Sequence, residues 1–238
     1  ISLAAGWIRF MDQAEEHDGS DYADDEFDAV AVILPMNFDG VSLTPYFAYG
    51  WLGKDAATSK DNKHLWSTAI ADGTVAPTEN LTAVWVGGAL EVTAFKPLTI
   101  QLEALYGSVD YDKDAGDRSG WFLTGAVDYD AGIVTPGLVG WYASGEDDDK
   151  DNGSERLPMI SPCWMPTSFG GQNTAGLLGN GYGYGFNGSN SDNPAGTMGL
   201  GLVLKNISFM KNLKHTFRVT YIKGTNDEKS GMDLTEKD

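Results

Sequence analysis

The sequence predicts an all-β chain, and within that class an antiparallel up-and-down transmembrane β-barrel. Three observations carry the prediction. Segments of about ten residues alternate apolar and polar side chains, the period of an extended chain with one greasy and one wet face. The connections between them run alternately short and long, as at the two ends of an outer-membrane barrel. The acidic residues crowd into Glu15 to Glu26, Glu146 to Glu155 and Asp227 to Asp238, where the alternation stops.

Taken in order, Ser2 to Met11 sets Ala4, Gly6, Ile8 and Phe10 against Ala5, Trp7 and Arg9, and an acidic loop to Glu26 follows. Phe27 to Met36 places Val30, Val32, Leu34 and Met36 together, and Asn37-Phe38-Asp39-Gly40 turns the chain into Val41 to Gly53. There Leu43, Phe47, Tyr49 and Trp51 share a face. Lys54 to Asn80 is polar and reads as a long loop. Four segments then follow between Leu81 and Gly145. In the first, Val84, Val86, Leu90 and Val92 alternate with Trp85, Ala89, Glu91 and Thr93, and Lys96-Pro97-Leu98 joins it to the second. Leu98 to Ser108 sets Leu98, Ile100, Leu102, Ala104 and Tyr106 against Thr99, Gln101 and Glu103. After Asp112 to Ser119, Gly120 to Asp130 groups Trp121, Leu123, Val127 and Tyr129, and Ile133 to Ser144 closes the set with Val134, Leu138 and Tyr142. Glu146 to Pro194 is the longest interruption. Loops of such length in compact domains are functional or disordered. Ala195 to Phe209 and His215 to Lys223 form the last hairpin, which makes roughly nine strands in all.

Composition narrows the class. The chain has 238 residues and a formal charge of -18, with 16 Lys and Arg against 34 Asp and Glu, which excludes nucleic acid as a partner. A lone Cys163 makes no intrachain disulfide. No run of 18 apolar residues marks a transmembrane helix. On the face read as outward, Phe10, Trp51, Tyr106, Trp121, Tyr142 and Tyr221 fall toward the long-loop end, and Tyr129 and Phe217 toward the short turns. Two aromatic belts fit two membrane interfaces. Pro35, Pro45 and Pro136 would each remove a ladder hydrogen bond, but all lie near short turns.

Particular runs carry a resemblance: AVILPMNFDGVSLTPYFAY over Ala31 to Tyr49, VTAFKPLTI from Val92, GWYASGEDDDKDNGSERLPMIS from Gly140, and FMKNLKHTFRVTYIKGTN from Phe209. These resemble the outer-membrane homotrimeric porins of sulfate-reducing proteobacteria, colinearly over most of the chain. The resemblance implies a trimeric, water-filled barrel in the bacterial outer membrane that passes ions and small hydrophilic solutes passively, without a cofactor. It also implies that residues 1–238 form a single porin domain incomplete at both ends, part of a barrel of about 16 to 18 strands.

The polar face carries what chemistry there is. Arg9, Glu91, Gln101, Glu103, Asp128, Lys205 and Arg218 are the expected pore-lining residues, whose charges would tune selectivity without reacting. Asp147, Asp149 and Asp151 open like a calcium loop, but Asn152 stands where such a loop needs Gly and Pro158 where it needs Glu. A solvated charge run is the simpler reading. Gly183 to Gly188 spells a dinucleotide-binding pattern with neither strand before it nor helix after it. His17, His64 and His215 lack partners at metal spacing, and no nucleophile with its base and acid is marked, so no catalytic residue is assigned. Two other functions fit the same pattern: a solute-specific channel narrowed by an inward Glu146 to Pro194 loop, and a non-channel β-rich surface protein or adhesin.

Overall fold

The computed structural model describes residues 1–11, 26–54, 78–149, 151–158, 196–210, 212–231 and 235–236. The strands are β1 (Ala4–Met11), β2 (Phe27–Ile33), β3 (Met36–Phe38), β4 (Val41–Leu52), β5 (Leu81–Val92), β6 (Leu98–Asp110), β7 (Arg118–Tyr129), β8 (Thr135–Ala143), β9 (Thr197–Met210) and β10 (Leu213–Gly224). One 3-10 turn, Asp114–Gly116, sits between β6 and β7. All ten strands form one antiparallel sheet in the order β1-β2-β4-β5-β6-β7-β8-β9-β10, with β3 pairing β4 beside β2. Each strand on the path pairs with the next in sequence, so the sheet is an up-and-down meander. It is open: among the described residues, neither β1 nor β10 has a second neighbour.

β2 and β3 are the two halves of one expected strand, Phe27 to Met36. Pro35 separates them because it has no N–H to give to the ladder. Leu34 still donates to the Pro45 carbonyl at 3.0 Å, which keeps both halves on β4. The turn that follows depends on Gly40. Its φ is +69, and a Cβ there would run into the Ala94 backbone, because the next hairpin packs against this one through Thr93 and Ala94 N–H bonds to the Gly40 carbonyl.

Register fixes two faces. On the inner face, Ala48 pairs Trp85, Gly87 pairs Leu105, Leu105 pairs Phe122, and Thr124 pairs Trp141. Phe27, Tyr46, Leu52, Leu81, Trp85, Leu105, Val109, Phe122, Trp141 and the loop residue Leu157 bury together there. The large rings lie over glycines of neighbouring strands: Tyr46 over Gly87, Trp85 over Gly107 and Trp141 over Gly199. A side chain at any of those glycines would occupy the space of the ring. This apolar cluster fills the long-loop half of the inner face, which alternation alone had marked as polar throughout.

The outer face is apolar and exposed. Val32, Phe47, Val86, Leu102, Leu123, Val127, Leu138, Leu200, Leu202, Leu204 and Val219 make a band across the sheet. Tyr49 and Trp51, whose rings meet edge-on at 4.9 Å, and Trp121 and Tyr142, stacked at 4.7 Å, lie above it toward the long loops. Phe38, Phe95, Tyr129 and Phe217 lie below it at the short turns. On β7, Trp121 and Tyr129 are eight residues apart. At roughly 3.3 Å per residue that is about 26 Å along the strand.

Candidate pore lining and inner strap

Six of the seven expected lining residues share the inner face. Glu91 pairs Gln101 across β5 and β6, and the Gln101 amide donates to the Glu91 carboxylate at 2.8 Å. Glu103 is buried at 3 % exposure, and the Tyr46 hydroxyl donates to it at 3.0 Å. Asp128 accepts from the Lys205 ammonium at 2.7 Å. Arg218 pairs Val203 on the same face, exposed at the β10 edge of the sheet. Ser42, opposite Glu91, and Thr124, opposite Glu103, complete a polar short-turn half of the inner face.

Arg9 is the exception, and its expected position is corrected. It pairs Asp28, which pairs Trp51, so Arg9 lies on the outer face. There its guanidinium makes two 2.9 Å hydrogen bonds to the Asp28 carboxylate and sits 5.8 Å from the Trp7 ring centre. Phe10 is corrected with it. A register shift lies between Arg9 and Met11, and the Phe10 ring packs 5.0 Å from that of Phe27 on the inner face. An aromatic at Phe10 suits the apolar outer face, but a local ion pair and a bulge set the phase.

The start of the loop expected to turn inward, Ser144 to Pro158 (without residue 150), does fold back onto the inner face after β8 as a strap, while residues 159–194 lie outside the described residues; what the sequence did not reveal is the seat that holds it. Two buried donors reach its backbone. The Arg118 guanidinium donates to the Arg156 and Leu157 carbonyls at 2.9 Å each, and the Trp85 indole donates to the Pro158 carbonyl at 2.9 Å. Gly107 and Gly120, paired across β6 and β7, leave the trench in which it lies. A Cβ at Gly120 would strike the Leu157 nitrogen and the Glu155 carbonyl, and one at Gly107 would strike Trp85 and Pro158. Ser119 donates to the Ser154 carbonyl and Ser154 to that of Asp117, each at 2.8 Å, tying the strap to the start of β7. Its base is held by Asn226, whose side-chain oxygen accepts from the Glu146 amide at 3.0 Å.

Inside the strap, Glu146 is buried and accepts from the Ser154 hydroxyl at 2.6 Å. Burial pushes its carboxyl above the ordinary range, against the pull of the Ser154 hydrogen bond and of the charges on Arg156 and Arg118. Burial likewise lowers the Arg156 guanidinium to about 10. A carboxyl raised by folding stabilises the seated strap fully below its unfolded pKa, and that contribution is lost as pH rises through the folded value. The strap should therefore hold more tightly in acid than at neutral pH. Glu146→Gln should flatten this dependence, measured as thiol labelling of Leu157→Cys in a Cys163→Ser background, each rate divided by that of the unfolded protein at the same pH so that the thiolate fraction cancels. Unchanged pH dependence in that variant would assign the effect to another group.

Arg118 opens β7 two residues before the Gly120 at which alternation begins, within the segment that the pattern alone assigns to the preceding loop. One signal was present in the sequence: Gly107 and Gly120 in two segments that the pattern pairs. Asp147 and Asp149 spend their carboxylates on their own loop. Asp147 accepts from the Asp149 amide at 2.8 Å and from the Asn152 side chain at 3.1 Å, and Asp149 accepts from the Asp151 amide at 3.0 Å. Among the described residues, no group of three or more His, Cys, Asp or Glu is arranged to hold a metal ion. His17, His64, Cys163 and Gly183 to Gly188 lie outside the described residues.

No family model, curated protein or solved structure matches the chain.

Proposed function

We propose that this chain forms part of the wall of an outer-membrane β-barrel porin, a trimer that passes ions and small hydrophilic solutes by passive diffusion with no catalytic step. One observation carries the reading. The sheet exposes an apolar face bounded by two sets of aromatic rings and turns carboxylates to the other side, whereas a soluble sandwich would present polar residues outward. The meander order agrees with it, since sandwiches cross between sheets with Greek-key connections.

The test has two parts. The intact protein should need detergent to stay monodisperse, and in planar bilayers it should conduct. A monodisperse, β-rich protein in plain buffer would overturn the membrane reading. A detergent-dependent protein without conductance would overturn the open channel.

The inner face carries Glu91, Glu103 and Asp128 against Lys205 and Arg218. The channel should prefer cations modestly, with the preference fading as salt screens the charges. Lys205→Met should strengthen the preference by leaving Asp128 without its ammonium. A reversal potential that favours anions across a salt gradient would contradict this assignment.

The strap favours a second reading, a channel narrowed for particular solutes. Its backbone is fixed over β6 and β7 by Arg118 and Trp85, on the side where solute would otherwise run. Sharp discrimination between solutes of similar size would support it over a general diffusion pore.

A further inference from the structure

Three stretches of chain meet above the last two ladders at the long-loop end. The β8–β9 ladder stops at Tyr142↔Met198 and the β9–β10 ladder at Gly224↔Thr197. Beyond them β10 does not simply leave the sheet. It crosses the start of β9 and bonds to the chain that leaves β8, with the Thr225 hydroxyl donating to the Ala143 carbonyl at 2.7 Å and the Asp227 amide to the Glu146 carbonyl at 2.7 Å. β8 and β10 are not neighbours in the sheet. Two glycines make the crossing possible: a Cβ at Gly196 would fall on the Asn226 side-chain amide, and one at Gly145 on the backbone of Thr225 and Asn226.

Asn226 stands at the centre of this crossing and is 1 % exposed. Its side-chain oxygen accepts from the Glu146 amide at 3.0 Å, and its side-chain nitrogen donates to the Gly196 carbonyl at 3.3 Å. Glu146 is where the chain departs from β8 into the strap, and Gly196 is where it arrives to start β9. One side-chain amide therefore closes both feet of the β8–β9 connection. Asn226 is held in turn, because the Glu236 amide donates to its carbonyl at 2.9 Å and Thr235 bridges to it in parallel. The β4–β5 connection is closed from within, by Asn80, whose side-chain oxygen accepts from the Lys54 amide at 3.1 Å. The connection that carries the strap is instead clamped from the exit of another strand.

We infer that Asn226 is the positioning residue of the strap, fixing from the exit of β10 the direction in which the strap enters the inner face. It acts through Glu146. With the Glu146 amide pinned by Asn226 and its carbonyl by Asp227, the Glu146 carboxylate is aimed at Ser154, from whose hydroxyl it accepts at 2.6 Å. Ser154 is bridged in turn to Asp117 and Ser119 at the start of β7. The strap is thus held at two places, by Arg118 and Trp85 at its far end and by Asn226 at its foot. A side-chain amide suits that post because it offers an acceptor and a donor together without a charge to bury. Under the narrowed-channel reading, on which the functional consequence rests, Asn226 sets the width of the path without lining it.

The test reads the strap directly, by thiol labelling of Leu157→Cys in a Cys163→Ser background of the intact protein, each rate divided by that of the unfolded protein at the same pH. Asn226→Leu keeps the bulk and removes both hydrogen bonds. It should raise labelling about tenfold, the scale of losing a pair of buried hydrogen bonds, while Gln101→Cys, in the polar half of the inner face, labels as before. Asn226→Asp is the discriminating variant. Protonated, its carboxyl still offers an acceptor and a donor; ionised, it turns a charge toward the Gly196 carbonyl and has no donor. Burial raises such a carboxyl, so the clamp should hold below its unfolded pKa and release as pH rises through the folded value. Parent and variant both carry Glu146→Gln, which can still accept from Ser154 and no longer titrates. The other charged groups around the clamp are Asp227 and Glu236 on its own segment and Arg118, Glu155 and Arg156 near position 146. They are the same in both proteins, so the difference reads position 226.

The expected result is a Leu157→Cys that labels freely in Asn226→Asp at neutral pH and regains the parent's protection in acid. Unchanged labelling in Asn226→Leu would overturn the inference and leave the seat on β7 as the whole of the strap's attachment. Should Asn226→Leu disturb Gln101→Cys as well, Asn226→Asp decides, and labelling there that acid does not reverse would overturn the inference too. None of these readouts needs a current. Conductance of Asn226→Leu in planar bilayers tests the narrowed channel separately: a released strap with unchanged conductance would keep Asn226 as its positioning residue and remove the narrowing.

Discussion

Leu102→Arg is expected to prevent stable insertion, while Gln101→Arg, one residue away, should fold and conduct. The two positions are both mid-strand in β6 and face opposite ways. Leu102 pairs Leu90 and Gly125 on the outer face and is about half exposed, whereas Gln101 pairs Glu91 on the inner face and donates to its carboxylate. In a membrane-spanning strand, the first substitution puts a guanidinium in hydrocarbon near the midplane, at a cost of about 2 to 4 kcal/mol. The second puts one beside a carboxylate that can pair with it. Gln101→Arg should therefore lower the cation preference by neutralising Glu91. Denaturant unfolding in lipid vesicles measures the first effect and reversal potential the second. Equal tolerance of both arginines would mean that water lies on both sides of β6, and the barrel reading would fail with it.

That contrast could be drawn from the sequence because alternation in β6 is unbroken and the turn that joins it to β5 is short. Where a strand leaves such a turn, one residue of slip would invert its faces, so the pattern determines the register. β5, β6, β7 and β8 were legible for this reason, and the pairing sets Glu91, Gln101, Glu103 and Asp128 on one face as read. β1 was not. It has a long acidic connection on one side, it carries Phe10 in an irregular step, and among the described residues it pairs with β2 alone. With no flanking turn to fix the phase, the Arg9–Asp28 ion pair sets it against the preference of the aromatic.

The seat of the strap was hidden for a different reason. Alternation reports which residues share a face and says nothing about what covers that face. Trp85, Phe122 and Trp141 sit among polar residues on the inner side, and only the return of Leu157 and the rings over Gly87, Gly107 and Gly199 make that half apolar. Arg118 looked like a loop charge, yet it is 3 % exposed and spends its donors on two carbonyls. An arginine aimed at backbone oxygens leaves no charge pattern to read, because its partners are the same in every residue type.

Gly120→Val is expected to expel the strap and enlarge the conductance while leaving β7 in place. Valine suits an extended strand better than glycine, so the strand itself has no reason to fail. The obstruction is on the inner side alone, where the new side chain meets the Leu157 nitrogen and the Glu155 carbonyl. Those are backbone atoms, and a backbone held by Arg118, Trp85 and the Ser154 bridge gives way only by leaving. Expulsion exposes the buried Leu157 and unmakes hydrogen bonds to a charged donor, a loss of about 2 to 4 kcal/mol. Arg118→Met should act in the same direction by a different route, removing the donors while keeping an apolar stem of similar length. Gly88→Ala is the control, since its Cβ would find no atom nearer than 3.5 Å. Two readouts separate the strap from the pore. Thiol labelling of Leu157→Cys should rise in Gly120→Val and Arg118→Met but not in Gly88→Ala, whether or not the protein conducts. Single-channel conductance should rise in the same two variants if the strap narrows the path. A protected Leu157→Cys in Gly120→Val would show that the trench does not seat the strap. A labelled one with unchanged conductance would keep the seat and remove the strap from the route of the solute.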